Sequence, residues 1–582
     1  MENNEAITTD VEESRTDTEQ SVKAEIEPQK KHCGFSRLLN KYFHHIDRGG
    51  SLGGEIGAGI TMLILSVCSI FLTMQVIANN NGGTLLAATE SADFYVATYL
   101  AAMLVSFAGT LVIGIVARLP FVQVSSLSLT TTMISLVGAD NGLTYYNLIF
   151  ISFISSVLYA ALVSIPVVKN FVYRALPASI RKILPAVAGA IIIVLAVQSL
   201  GLVNVNGLLA SVQGNAPTEY GWGGVFFLPQ LASGYAGDAL YGAMYAGLVA
   251  GFLAIICYVI MKSLKVKHPV GRTLLIGTLL YFGVAAIIDI NLITGWARLW
   301  LIGSEDTLQT HLSSGFSQLF GSFGKVFSTD GGGLDFSAYT GNAGVLVIGG
   351  MLCFLMLSMY DGQAAIEATS GNLGVNTDTP KGVWIAQACN AGAGVVSAVF
   401  GTTPVALGKQ AVAGSDDNAK SGISSIVVAV GLLVPMFVWI VPALMATYVN
   451  LDIAFANGEY GHYDMGSLQM TLYCTFGVAD AVMIAMGIKM MKSLGDLDYK
   501  NTMEWVPAIV TLVSAVLTVN LAYGVAFGVV AYCIIKLFAF VKDGETLGAA
   551  IKNNFVANVK TFPIPTAVLG ALSLTMLLML LL

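Results

Sequence analysis

Apolar runs of 18 or more residues recur along this chain, each long enough to cross about 30 Å of hydrocarbon. That feature admits few folds. In lipid a backbone must satisfy its own hydrogen bonds, so the runs are expected to be helices wherever protein or a cavity does not cover them. The pattern predicts an all-α polytopic membrane protein. Charged residues are 11% of the chain and hydrophobic ones 55%, where soluble domains carry about 25% charged residues. Spans are expected near 55–79, 93–117, 119–137, 144–168, 183–203, 237–261 and 271–289. A second set is expected near 342–361, 382–400, 402–414, 421–447, 466–489, 503–519 and 522–541, followed by one more apolar run, 561–582.

The connecting loops alternate in charge. Loops after even-numbered spans carry Arg118; Lys169, Arg174, Arg181 and Lys182; Lys262, Lys265, Lys267 and Arg272; Lys420; and Lys492 and Lys500. Loops after odd-numbered spans hold only Arg298 and Lys325, both in the 290–340 loop. The positive-inside rule then places the N-terminus and every even loop in the cytoplasm. Residues 1 to about 30 are polar, acidic and poor in aromatics, and read as disordered. They lack the apolar region of a signal peptide. The net charge of −7 comes largely from this tail, so nucleic-acid binding has no support.

Catalytic and cofactor chemistry leave no trace. The seven cysteines show no metal spacing and read as small buried hydrophobes. The six histidines, His32, His44, His45, His268, His311 and His462, fall outside the expected spans, which argues against a histidine proton relay. No Walker loop occurs, so ATP-driven transport is unsupported. The expectation is neither an enzyme nor a cofactor-bound protein.

The two sets of seven spans share a layout. In each, the third element is short and polar: VQVSSLSLTTTM (122–133) in the first and GTTPVALGKQ (401–410) in the second. Seven is odd, so the second set enters the membrane from the opposite face. That is an inverted repeat, in which short interrupted segments at matching positions point to the binding site. Spans 3 and 10 are too short for full helices and are expected to hold short extended segments, covered by protein or a cavity. The organisation expected is a tail and juxtamembrane stretch over 1–47 and a first repeat over 48–289. An extracytoplasmic loop over 290–340 precedes a second repeat over 341–541, and 542–582 holds a linker and an extra helix. The rival reading of the short segments is ordinary short helices whose Ser and Thr bond back to their own turns.

Charged side chains inside spans are costly and are by default functional candidates. Asp361, at the expected end of the eighth span, is the candidate substrate- or proton-binding carboxylate; the alternative is a helix-end Asp facing cytoplasmic water. Glu367 reads as a rim residue, since six positions along a helix is about 240° of rotation. Asp480 reads equally as structural or coupling. Gln387 and Asn390 read as interhelical hydrogen-bonders, and Gln75 as facing the site. Lys409 and Gln410 stand out in an otherwise small and apolar stretch.

Several stretches resemble the nucleobase permeases, specifically their AzgA-like purine branch within the xanthine/uracil permease superfamily. They are GAGITMLILSVCSIFLTM (57–74), ATYLAAMLVSFAGTLVIGIVARLPF (97–121), ALPASIRKILPAVAGAIIIVLAVQSLGLV (175–203), FGTTPV (400–405) and VPAIVTLVSAVLTVNLAYGVAFGVVAYCIIKL (506–537). The likeness covers most of residues 48–541. It implies fourteen core spans in a 7+7 inverted repeat, with a core of spans 1–4 and 8–11 moving against a gate of spans 5–7 and 12–14. It further implies proton-coupled uptake of a purine nucleobase across the plasma (inner) membrane, and allows a homodimer. Substrate contacts are then expected at Gln75, Ser125, Ser126, Ser128, Asp361, Thr402, Thr403, Lys409 and Gln410, with Asp361 also the proton-coupling group. The family's "F-D-T" corresponds to Tyr360-Asp361-Gly362. Its "A-P-G-M-G-L-N" corresponds to Val124–Thr130, where hydroxyl residues replace glycines and proline. Its acid beyond "G-T-S-T-V" has no counterpart; Lys409-Gln410 lies there instead. That exchange leaves open an anion carrier of the same fold, like the SulP or bicarbonate families. A channel or sensor without coupling is the other alternative.

Overall fold

The computed structural model describes residues 34–79, 92–135, 143–165, 175–199, 239–288, 290, 293, 315–329, 332–335, 342–373, 380–437, 465–538, 559 and 562–581. A short helix α1 (Gly34–Phe43) precedes the first span. The Tyr42 hydroxyl donates to the Ile115 carbonyl (3.1 Å), the Arg118 guanidinium lies 4.0 Å above the Tyr42 ring, and Phe43 is buried.

The first set then runs α2 (Leu52–Asn79), α3 (Ala92–Val112), β1 (Gln123–Ser125) with α4 (Leu127–Ser135), α5 (Tyr145–Ser164), α6 (Ala178–Ser199), α7 (Ala239–Ser263) and α8 (Pro269–Ile288). The second runs α9 (Asn342–Leu373), α10 (Pro380–Val399), β2 (Val405–Leu407) with α11 (Gln410–Asp416), α12 (Gly422–Phe437), α13 (Met465–Met490), α14 (Thr502–Thr518) and α15 (Leu521–Phe538). Helix α16 (Ile564–Leu581) follows. Each set has seven members, and the third in each is a short strand leading into a short helix. The all-α, 7+7 architecture is therefore present in the order of elements itself. Seven of the described helices are long and apolar enough to cross a membrane. Large apolar side chains such as Phe252, Ile256, Leu275, Leu279 and Ile287 lie exposed on α7 and α8, as lipid-facing residues do.

Local sequence explains the helix starts. Thr144 and Asn147 form a capping box at α5, the Asn501 side chain accepts from the Met503 N–H at α14, and Pro269 and Pro380 occupy first helical positions. The helices pack in two groups. The first holds α2–α5 with β1 and α9–α12 with β2. The second holds α6–α8 and α13–α15. The groups meet where α8 and α13 touch α2, where α8 touches α11, and where α9 touches α6 and α15; α16 packs on α9 and α15. Glycines allow close approach inside a group: a Cβ on Gly189 or Gly487 would stand 2.6 Å from the other's carbonyl oxygen.

One expectation is corrected. The eighth span does not end at Asp361: α9 is one helix of 32 residues and continues to Leu373, which puts Asp361 well inside it. The polar run that follows, with Gln363 and Glu367, stays helical because its faces are covered. The Gln363 amide donates to Glu367 at 2.8 Å, and Ala364, Ala365 and Ile366 are buried. The tenth element is short and partly extended, as expected: it is a strand over 405–407 and helical from Gln410, so the rival reading of an ordinary short helix does not hold.

Candidate functional site

The third elements of the two sets meet as a two-stranded antiparallel ribbon, with Gln123 opposite Leu407, Val124 opposite Ala406 and Ser125 opposite Val405. It is extended by Ser126 N–H to the Pro404 carbonyl (2.9 Å) and Gly408 N–H to the Val122 carbonyl (2.8 Å). An isolated two-stranded ribbon inside a membrane would leave both outer edges unpaired. Here the second helix of each set covers the outer edge. Thr110 of α3 accepts from the Gln123 N–H (2.9 Å) and donates to its carbonyl (3.1 Å). On the other side the Leu407 N–H donates to Asn390 Oδ1 (2.8 Å) and the Val405 N–H to Ser397 Oγ (3.3 Å), both on α10. All six strand residues are buried.

Asn390 does two jobs, since its Nδ2 also donates to the Ser358 carbonyl of α9 at 3.1 Å. It thereby ties the ribbon to the helix that carries Asp361. Asn390→Ala is expected to cost about 2 kcal/mol, because it strands the buried Leu407 N–H and cuts the tie to α9. Thermal unfolding of the purified protein measures this; a loss below about 0.5 kcal/mol would show that these groups find other partners.

The ribbon leads directly into the charged pair. Lys409 is the residue before α11, and its Nζ lies 2.6 Å from Asp361 Oδ1, with side-chain exposures of 14% and 4%. Both charges are thus largely out of water, and each is the other's compensation. Gln410 is 8% exposed, and its Oε1 has no hydrogen-bond partner. Its side chain folds over Gly408, where a Cβ would stand 2.1 Å from that oxygen, so a side chain at 408 would push the Gln410 amide aside. Helix α9 packs on α4, β2 and α11 together, so Asp361 belongs to the helix that backs both third elements.

The hydroxyl residues divide. Thr403 Oγ1 donates to Ser125 Oγ at 2.9 Å, joining the two sets across the ribbon. Ser126 Oγ accepts from the Leu129 N–H (3.3 Å) at the start of α4. Ser128 is buried, and its carbonyl accepts from Thr132 (2.8 Å). Thr402 is committed elsewhere, its hydroxyl donating to the Thr98 carbonyl of α3 at 2.8 Å. Gln75 lies on α2, but its side chain falls outside the described residues. Asp480 is buried at 1% exposure on α13. Gln387 accepts from the Tyr159 hydroxyl, a helix-to-helix bond as expected.

Sequence reading passed over Gln123, which is 0% exposed with neither amide atom partnered and which packs against Gly109 of α3. It also passed over Asp416 and Asp417, which looked like an ordinary polar turn. Their signal was two adjacent acids at the end of the segment that Lys409 opens. No group of His, Cys, Asp and Glu among the described residues has the arrangement of a metal site.

No family model matches the chain. A Methanocaldococcus jannaschii protein described as a permease is 22% identical over 504 residues, 86% of this chain and 93% of that protein. The guanine/hypoxanthine permease PbuO of Bacillus subtilis is 22% identical over 510 residues, 85% of this chain and 94% of the relative. Among solved structures, the transmembrane domain of the cyanobacterial bicarbonate transporter BicA aligns at 16% identity and a TM-score of 0.35, covering 75% of this chain and 97% of that one. SLC26A9 aligns at 13% identity and a TM-score of 0.43, covering 84% and 65%. At these scores the overlays bear on no residue of the site.

Proposed function

We propose that this chain, a permease related over most of its length to the nucleobase permeases, is a secondary active transporter of a purine base or a close heterocycle. The observation that carries the proposal is the Lys409–Asp361 pair, set on α9 and at the mouth of α11 beside the ribbon. A purine presents N–H donors beside carbonyl or ring-nitrogen acceptors on one edge. Asp361 suits the donors. Lys409 Nζ and the Gln410 amide suit the acceptors, and the Ser125–Thr403 hydroxyls lie in the adjoining ribbon. Substrate-binding roles for Gln75, Ser126, Ser128 and Thr402 belong to the same reading; Thr402 is the weakest, because its hydroxyl already has a partner.

The pair also gives coupling a physical form. Lys409 occupies Asp361 Oδ1, so a base N–H that takes that oxygen displaces an internal cation. The charge alternation of the loops supports a cytoplasmic N-terminus in the plasma (inner) membrane, and the resemblance supports a homodimer. A second reading is favoured by one observation: an ammonium stands where the resembled family carries an acid. An ionised base such as xanthine or urate, or an inorganic anion, would suit it.

Proteoliposome uptake of labelled hypoxanthine, guanine, uracil, xanthine and sulfate, with and without an inward proton gradient, tests both readings. The expected result is gradient-driven accumulation of hypoxanthine or guanine, lost in Asp361→Asn. Sulfate accumulation without base uptake would replace the purine reading with the anion one. Full gradient-driven uptake by Asp361→Asn would remove that residue from coupling.

A further inference from the structure

Helix α11, which Lys409 and Gln410 open, ends in Asp416 and Asp417, and both carboxylates reach out of the first helix group into the second. Asp416 Oδ1 takes the Lys489 ammonium of α13. Its Oδ2 accepts from the Tyr258 hydroxyl (2.9 Å) and lies 3.6 Å from Lys262 Nζ, both on α7. Asp417 is 0% exposed and accepts from the backbone N–H groups of Val270 (2.9 Å) and Gly271 (2.8 Å), in the first turn of α8. Its Oδ2 also accepts from the Thr61 hydroxyl of α2 at 2.6 Å. A carboxylate on a helix N-terminus meets unpaired donors and the positive end of the helix dipole. Two neighbouring acids therefore grip three helices of the second group from one end of a seven-residue helix. At the corresponding end of α4 a neutral bond spans the groups, Asn520 Nδ2 to Thr132 Oγ1 at 2.9 Å. The seam is ionic behind one half-helix and amide-to-hydroxyl behind the other.

We propose that Asp416 and Asp417 are positioning residues of the transport cycle: they clamp α11 to the second group, and Lys409 and Gln410 change position only when that clamp releases. The proposal rests on the reading of the chain as a transporter whose two helix groups move against each other, but not on which substrate it carries. The clamp's carboxylate oxygens are occupied by cations, two hydroxyls and backbone donors, so these acids act through α11 and do not touch cargo. A buried ion pair that loses one partner leaves an uncompensated charge, and the equilibrium between the two positions of α11 shifts accordingly.

A substrate-independent reporter tests this. Val270 lies in the seam at 0% exposure and meets Asp417 through its backbone N–H, so its side chain can carry a label without removing a clamp bond. In a background with the seven native cysteines replaced, Val270→Cys in lipid nanodiscs is labelled with a water-soluble maleimide. Asp416→Asn keeps the shape and removes the charge, and is expected to raise the labelling rate about fivefold or more. Lys489→Gln, which breaks the pair from the other side, is expected to do the same, and serves if the Asp416 variant does not fold. Asp416→Glu keeps the charge and is expected to stay within about twofold of the parent. Labelling unchanged in both neutral variants, or raised equally by Glu, overturns the clamp whatever the uptake assay shows. A raised rate in the neutral variants alone supports it even if hypoxanthine is not carried.

Discussion

Lys409→Met is expected to destabilise the protein by about 3–5 kcal/mol and to abolish uptake. The substitution keeps an unbranched side chain one atom shorter and removes its charge, leaving the Asp361 carboxylate 4% exposed and without the ammonium now 2.6 Å away. A buried ion pair contributes little net stability against a neutral replacement of both members, yet removal of one member is costly. The double variant Lys409→Met/Asp361→Asn is therefore expected to regain most of the lost stability, since no unpaired charge remains. It is not expected to regain uptake, because both candidate cargo contacts are gone. Thermal unfolding in detergent, paired with proteoliposome uptake, separates the two effects. Equal destabilisation of single and double variants would refute the charge argument. Gradient-driven uptake by the double variant would take the pair out of the mechanism.

Gly422→Ala is the second large effect. A Cβ on Gly422 would stand 1.9 Å from the Gly114 carbonyl oxygen, 2.8 Å from its carbon and 3.1 Å from the Arg118 Cα. All three are backbone atoms, so no side-chain rotation relieves the overlap. Gly114 also lies in a π-helical turn, Ile113–Ala117, which closes at Arg118 with a left-handed φ of 55°. Helix α12 would have to separate from the end of α3, with a cost of about 3 kcal/mol or more. Gly283→Ala, on α8 with nothing within 4 Å of its Cβ, is the matched control. It is expected to be neutral or slightly stabilising, since alanine favours helix over glycine. Size-exclusion recovery after graded heating compares the two; similar behaviour would mean that α3 and α12 adjust freely.

The extended parts of the third and tenth elements were foreseeable from polarity, because a short segment rich in Ser and Thr between long apolar runs cannot be a full span. Their pairing was not foreseeable. Nothing local in QVS or VAL says that one strand will lie against the other, more than 270 residues away, with Val124 facing Ala406. Asn390 reads from sequence as an interhelical hydrogen-bonder, and nothing local singles out Thr110 or Ser397. Their role as edge covers exists only because a ribbon is there to cover.

Asp361 and Lys409 were each conspicuous by charge alone in an apolar layer. Asp361's place within its helix was misjudged, since hydropathy falls after Tyr360 while the helix continues under cover from neighbouring elements. Asp416 and Asp417 were overlooked for the opposite reason: two acids in a turn resemble a solvated loop, and only packing turns them inward.

The sequence by itself determined the membrane setting, the number and order of spans, the repeat and the presence of two opposite charges in apolar surroundings. Those properties follow from segment length, polarity and periodicity, which are written along the chain. The tertiary structure alone decided that the two charges meet, that the ribbon's edges are closed by side chains from α3 and α10, and that α11 is held at its far end by α7, α8 and α13. Hydrogen bonds and ion pairs depend on separations of about 3 Å, and only packing sets such distances between residues far apart in the chain.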